Sequence, residues 1–153
     1  MTIKAISDEF IESYNKIYDE LKQKGQEKLK EVFKIFWEAN PYVNVVCWPQ
    51  YTPHFNDGDE CVFSIGEVTI SNLNDKSQFD RLNWGEYDGE DETIWTDLTD
   101  GLEDVMYVDK MLNELRHFLY SASMKEILKG LFGDHCVVYA TREGFEVQEY
   151  DHE

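Results

Sequence analysis

His54 and Cys61 flank Asn56-Asp57-Gly58-Asp59, a strong turn signal of the Asp-Gly type. If Asn56 pairs with Asp59 across that turn, His54 stands opposite Cys61 with Asp57 and Asp59 close by. Imidazole and thiolate are zinc ligands, so these two positions would supply half of a tetrahedral site. No CxxC or HExxH spacing supplies the other half, and the turn accounts for Asn, Asp and Gly without an ion, so no metal is expected. None of Asp57-Gly58, Asp88-Gly89 and Asp100-Gly101 has oxygen ligands at both upstream positions that a calcium loop requires. Nucleophilic catalysis would pair Cys47 or Cys136 with His54 or His135, since a neighbouring imidazole lowers a thiol pKa. His135 and Cys136 are adjacent in a strand-like run, which points their side chains to opposite faces and excludes that pair. No carboxylate pair stands out among 32 acids, and there is no glycine-rich phosphate loop or Walker-type lysine. We therefore expect no catalytic residues and no cofactor, and a chain that acts by binding.

The elements that must position these residues follow from periodicity. Phe10, Tyr14, Ile17 and Leu21, then Leu29, Val32 and Phe36, give 3–4 spacing over residues 7–39. Ser7 is the expected N-cap, with Asp8 and Glu9 in the first turn. Gly25 interrupts the stripe, leaving one helix with a weak point or two in succession, and Asn40-Pro41 ends it. Val43, Val45 and Cys47 alternate with Tyr42, Asn44, Val46 and Trp48, and both sets are largely apolar, as in a strand covered on most of its length. Pro49 and Pro53 are expected to keep Gln50-Tyr51-Thr52 out of a regular central strand. A second strand follows at Cys61–Ile65 and continues through Val68-Thr69-Ile70, with Gly66 as a bulge.

Helix returns at 104–121 on Val105, Val108, Leu112, Leu115 and Leu119. Ser123 and Glu126 fit a capping box for a helix through Phe132, with Gly133 after its end. Cys136–Ala140 and Phe145–Tyr150 read as a hairpin around Glu143-Gly144, with a loop of two residues or three. The order α-β-β-long loop-α-α-β-β predicts a single α+β domain over 1–153. It is an antiparallel sheet of about four strands with helices packed on one face.

Charge narrows the function. Across 153 residues, 32 acids face 14 basic residues, a net −18. That argues against direct grip on nucleic acid or an anionic membrane, both of which select clustered cations. Residues 74–104 carry eleven acids against Lys76 and Arg81, a net −9 and half the total. Trp84, Tyr87 and Trp95 are interleaved with them. This acidic excursion is the expected partner-binding segment: Glu86, Asp88, Glu90, Asp91 and Glu92 facing a basic groove, with Trp84 and Tyr87 packing beside them. Such a surface would mimic a nucleic-acid backbone, and the plainer alternative is that the charge only keeps the chain soluble. Met1–Glu9 has no apolar signal core, no run is long enough to span a bilayer, and three cysteines fit no disulfide framework, so a cytoplasmic chain with free thiols is expected.

The run Trp48–Phe63, together with Phe132-Gly133-Asp134-His135 and Thr141–His152, resembles segments of an uncharacterised small acidic protein family of tailed phages and bacteria. The resemblance supplies no activity and no functional residues. It implies a protein that binds and disables a host component. Two rival readings are a small-molecule or nucleotide pocket at Trp48, Tyr51, His54, Asp57 and Cys61, and a toxin-immunity protein. The expected oligomeric state is monomer or homodimer, the dimer being permitted by an apolar last strand at a sheet edge.

Overall fold

The computed structural model describes residues 2–73 and 110–151. The acidic excursion 74–104, and with it Val105 and Val108, lies outside the described residues. Among those described, the chain runs α1 (Ile3–Ala39), β1 (Val45–Tyr51), β2 (Ser64–Ile65), β3 (Thr69–Ser71), α2 (Lys110–Tyr120), α3 (Ala122–Phe132), β4 (Cys136–Thr141) and β5 (Gly144–Glu149). The five strands form one antiparallel sheet of order β2-β1-β4-β5, with β3 also paired to β1. This is the expected α+β arrangement.

Helix α1 is a single helix of 37 residues and starts before Ser7. Thr2 is its N-cap, with Oγ1 accepting from the Ala5 N–H at 3.2 Å. Nothing in Ile3-Lys4-Ala5-Ile6 stops the helix from reaching back to that hydroxyl. Gly25 does not break it either. A Cβ there would lie 2.8 Å from Leu131 Cδ2, so the glycine lets α3 approach closely. At the other end the Asn40 N–H bonds the carbonyls of Phe36 and Trp37. Arg142, in the β4–β5 turn, donates to the carbonyls of Asn40 and Pro41 and lies 5.2 Å over the Trp37 ring, placing a cation at the negative end of the helix.

The strand expectation at Pro49 is overturned. β1 passes straight through Pro49 and is the central strand, Gln50 pairing with Ile65 on one side and Cys136 on the other. The reason is a bulge opposite the proline. Between Cys47↔Thr69 and Gln50↔Ile65, the two residues Trp48 and Pro49 face the three residues Gly66, Glu67 and Val68. The missing N–H of Pro49 points at this break in the ladder, where no partner carbonyl is in register, and its own carbonyl accepts from the Gly66 N–H at 2.7 Å. The backbone groups that the bulge frees at Val68 are taken up by α2. The Val68 N–H donates to the Tyr120 hydroxyl at 2.8 Å, and its carbonyl accepts from Arg116 Nε and Nη2 at 3.2 and 3.0 Å.

Val46, Trp48 and Gln50 point from β1 toward the helices. Trp48 is fully buried, stacked 6.0 Å from Phe33 and edge-on to Phe132. Around it Leu29, Phe33 and Phe36 of α1, Leu112, Leu115 and Leu119 of α2, and Met124, Leu128 and Leu131 of α3 close one core. On the other face Val45, Cys47, Val137 and Tyr139 form a smaller cluster with Leu73 and Tyr150, so β1 is covered on both sides.

Three local expectations shift. The α3 cap is Ser121, accepting from the Met124 N–H, so Ser123 and Glu126 form no capping box. The β4–β5 loop has two residues, Arg142 and Glu143, because Thr141 pairs with Gly144, and Phe145 thereby joins the core against Phe33 and Phe132. The strand expected from Cys61 begins only at Ser64. Gly66→Ala tests the bulge, since its Cβ would sit 2.6 Å from Pro49 Cγ on a rigid ring. We expect a loss of about 1–3 kcal/mol in urea unfolding, reduced when Pro49→Ala is combined with it.

Candidate functional site

Where β1 leaves the sheet and β4 enters it, the runs Trp48–Phe63 and Phe132–His135 meet. Gln50 sets the geometry. Its side chain is fully buried and fully bonded: Oε1 accepts from Trp48 Nε1 at 3.0 Å, and Nε2 donates to the carbonyls of Leu128 and Gly133 at 3.0 and 2.7 Å. Gly133 ends α3 at φ +99°, a conformation that favours glycine, and turns the chain into Asp134 and His135.

Asp134 is the next tie. Its Oδ1 accepts from the backbone N–H groups of Thr52 and His135, both at 2.8 Å, and its Oδ2 accepts from the Thr52 hydroxyl at 2.7 Å. Partial burial opposes the charge, but these bonds from Thr52 and His135 and the nearby His135 imidazole outweigh it, holding the carboxyl below its ordinary value. Three donors occupy the carboxylate, which makes it a clamp on the chain. His135 follows at φ +52°, outside β4, and its ring stacks on that of His54 at 5.2 Å and 13°. The expected strand alternation at His135-Cys136 is thus replaced by a left-handed residue. The result is a partly exposed pair of parallel imidazoles beside a fixed carboxylate, with His135 Nε2 3.7 Å from Asp134 Oδ1.

The other sequence-predicted residues do not gather here. Trp48 is in the core, Tyr51 is half-buried and its ring lies 5.4 Å from Tyr150. Asp57 sits exposed at φ +47° in the turn that the Asp59 N–H closes onto the Asn56 carbonyl, and Cys61 is half-buried. The ladder stops at Tyr51↔Ser64, so no strand pairing sets His54 across from Cys61. Among the described residues no three His, Cys, Asp or Glu side chains are grouped to hold a metal ion. Trp84, Glu86, Tyr87, Asp88, Glu90, Asp91 and Glu92 lie outside the described residues.

The two buried thiols are not activated. Cys47 is buried against the Thr69 carbonyl, and burial pushes its pKa far up. Burial, helped by the Asp134 charge, raises Cys136 to about 11, and its Sγ donates to the carbonyls of Phe132 and Gly133.

Gln50, Thr52 and Asp134 were not singled out as site residues in the sequence. The available signals were a glutamine inside an apolar strand and an Asp directly after a helix-ending Gly. In comparisons with known proteins, no family model, curated protein or solved structure matches the chain.

Two outcomes follow. Because the folded Asp134 titrates below its ordinary 3.8, its stabilisation is present above that pH and is lost as pH falls through the lower folded value. Asp134→Ala should cost about 1.5–3 kcal/mol at pH 7, and the gap between wild type and variant should narrow below about pH 4, read by thermal melts across pH. With a thiol reagent at pH 8, Cys61 should react fastest, and Cys47 and Cys136 only at the rate of unfolding.

Proposed function

We propose that this chain binds and inhibits a protein with a basic surface, as a phage or phage-derived accessory factor directed at a host or defence protein. The observation that carries the reading is where the charge lies. Residues 1–40 hold 7 Lys and 8 acids (−1), and residues 105–132 hold 4 basic residues and 3 acids (+1). The whole −18 therefore falls on the remaining segments, and half of it on 74–104. Charge concentrated this way attracts a basic partner over a distance that salt shortens, and it places carboxylates where a nucleic-acid-binding groove expects phosphates. Trp84 and Tyr87 supply the apolar contact that charge alone lacks.

A second reading, a small-molecule or nucleotide site, is favoured by the stacked His54 and His135 rings beside Asp134. A rise in Tm with nucleotides that His54→Ala abolishes would support it.

The main test is an affinity pull-down from bacterial lysate at low and high salt. A specific nucleic-acid-binding protein, washed off by salt, is expected. Converting Glu86, Asp88, Glu90, Asp91 and Glu92 to Lys should lower its affinity at least tenfold with the melting curve unchanged. Equal recovery by that variant would sink the reading.

A further inference from the structure

Among the described residues, helix α1 is buried only from Leu29 onward, with Tyr18 and Gly25 touching α3 before that. Its buried residues are Leu29, Phe33, Phe36 and Trp37, while residues 3–24 are exposed apart from the half-buried Lys22. Yet the exposed part carries an apolar stripe at Ile3, Phe10, Tyr14, Ile17 and Leu21, in steps of 7, 4, 3 and 4, with Ile6, Ile11 and Tyr18 on its flanks. These eight side chains are between 41% and 86% exposed. Phe10, Tyr14 and Tyr18 stack in succession at 6.4 and 6.5 Å, so the ridge is already ordered. Together they offer on the order of 1,000 Å² of apolar surface, well above what a monomer leaves in one patch and above the ~800 Å² that each partner of a standard interface buries.

We propose that the N-terminal halves of α1 from two copies of this chain pack antiparallel, forming a two-fold homodimer. Three observations select a second copy. The first is charge. Residues 3–24 hold four Lys and five acids, so two chains of −18 meet where repulsion is least, and the surface attracts neither a basic nor an acidic partner. The second is direction. The stripe continues four residues on into Gly25, which packs on Leu131, and then into the buried Leu29 and Phe33. A parallel mate would drive its own residues 25–39 into α3 of the first copy. An antiparallel mate brings the start of its own α1, capped by Thr2, to that point.

The third is a receiving groove. Tyr18, Leu21, Gly25, Ile127 and Leu131 line an apolar groove of about 550 Å³ between α1 and α3, pinned by the Tyr18 hydroxyl donating to the Gly130 carbonyl at 3.2 Å. With the two-fold axis near Glu12, Ile3 of one copy meets Leu21 of the other, Phe10 meets Tyr14, Ile17 meets Ser7, and Ile11 lies close to its own counterpart. The tip of each helix then enters the other's groove, and the contact closes on itself as an isologous dimer must.

The test is sedimentation equilibrium of the full chain with cysteine cross-linking. Wild type should sediment at twice the 18.1 kDa chain mass, and Tyr14→Glu with Ile17→Glu should weaken the dimer at least a hundredfold. Should that variant also lose helix, register decides independently. Oxidised Ser13→Cys, beside the axis, should give a covalent dimer, and Ser7→Cys, which faces Ile17 of the other copy, should not. A monomeric wild type overturns the proposal, whether or not its helix then binds phosphatidylcholine vesicles. So does a dimer indifferent to the two Glu substitutions, or cross-linking at Ser7→Cys alone, which reports a parallel pair.

Discussion

The buried amide of Gln50 connects the parts of this molecule that could otherwise drift. A glutamine in the middle of a central strand is costly to bury unless both donors and its acceptor are used. Here they are, on Trp48, Leu128 and Gly133. The three bonds orient the largest core side chain, catch carbonyls at the end of α3, and place the glycine from which the chain enters β4. The Asp134–Thr52 clamp and the His54–His135 stack lie one step further along the same path. An apolar replacement of equal size would fill the volume, leave the Trp48 N–H without its acceptor and take one donor from each of the Leu128 and Gly133 carbonyls. The cost of that change lies in the unmet hydrogen bonds more than in packing.

A second constraint is the bulge opposite Pro49. A proline in a central strand removes a ladder donor, and the chain answers by dropping the ladder on that side over Trp48 and Pro49. Gly66 permits the close approach, and Tyr120 and Arg116 from α2 satisfy the Val68 backbone. The same device ties α2 to the sheet edge, so the local defect and the helix docking are one arrangement.

Much of this was legible from pattern. The alternation from Val43 to Trp48 announced a strand covered on most of its length, Gly66 announced the register shift, and Gly133 the end of α3. Pro49 misled because the proline rule is stated for one strand, whereas the bulge that resolves it belongs to the partner strand. His135 misled because a positive φ in a non-glycine residue is imposed by its neighbours, here the Asp134 clamp, and leaves no mark in composition. The site residues Gln50, Thr52 and Asp134 escaped for a related reason. Each is an ordinary polar residue whose role exists only once distant segments meet.

Periodicity also shows that a helix face is apolar without showing what covers it. The stripe from Phe10 to Leu21 and the one from Leu29 to Phe36 look alike in sequence, yet among the described residues only the second is buried. The antiparallel dimer resolves this difference without bringing like charges together. With the axis near Glu12, the two copies of Leu29 stand roughly 50 Å apart at 1.5 Å per residue along the helices. That separation is several times the ~8 Å over which charges act at physiological salt. Two chains of −18 can therefore join through the near-neutral first halves of α1 while the buried ends of those helices, and the sheets packed on them, stay beyond electrostatic reach of each other. Any partner drawn by the acidic charge would meet two copies of it on one particle, and for a multivalent target that raises the effective concentration of the second contact.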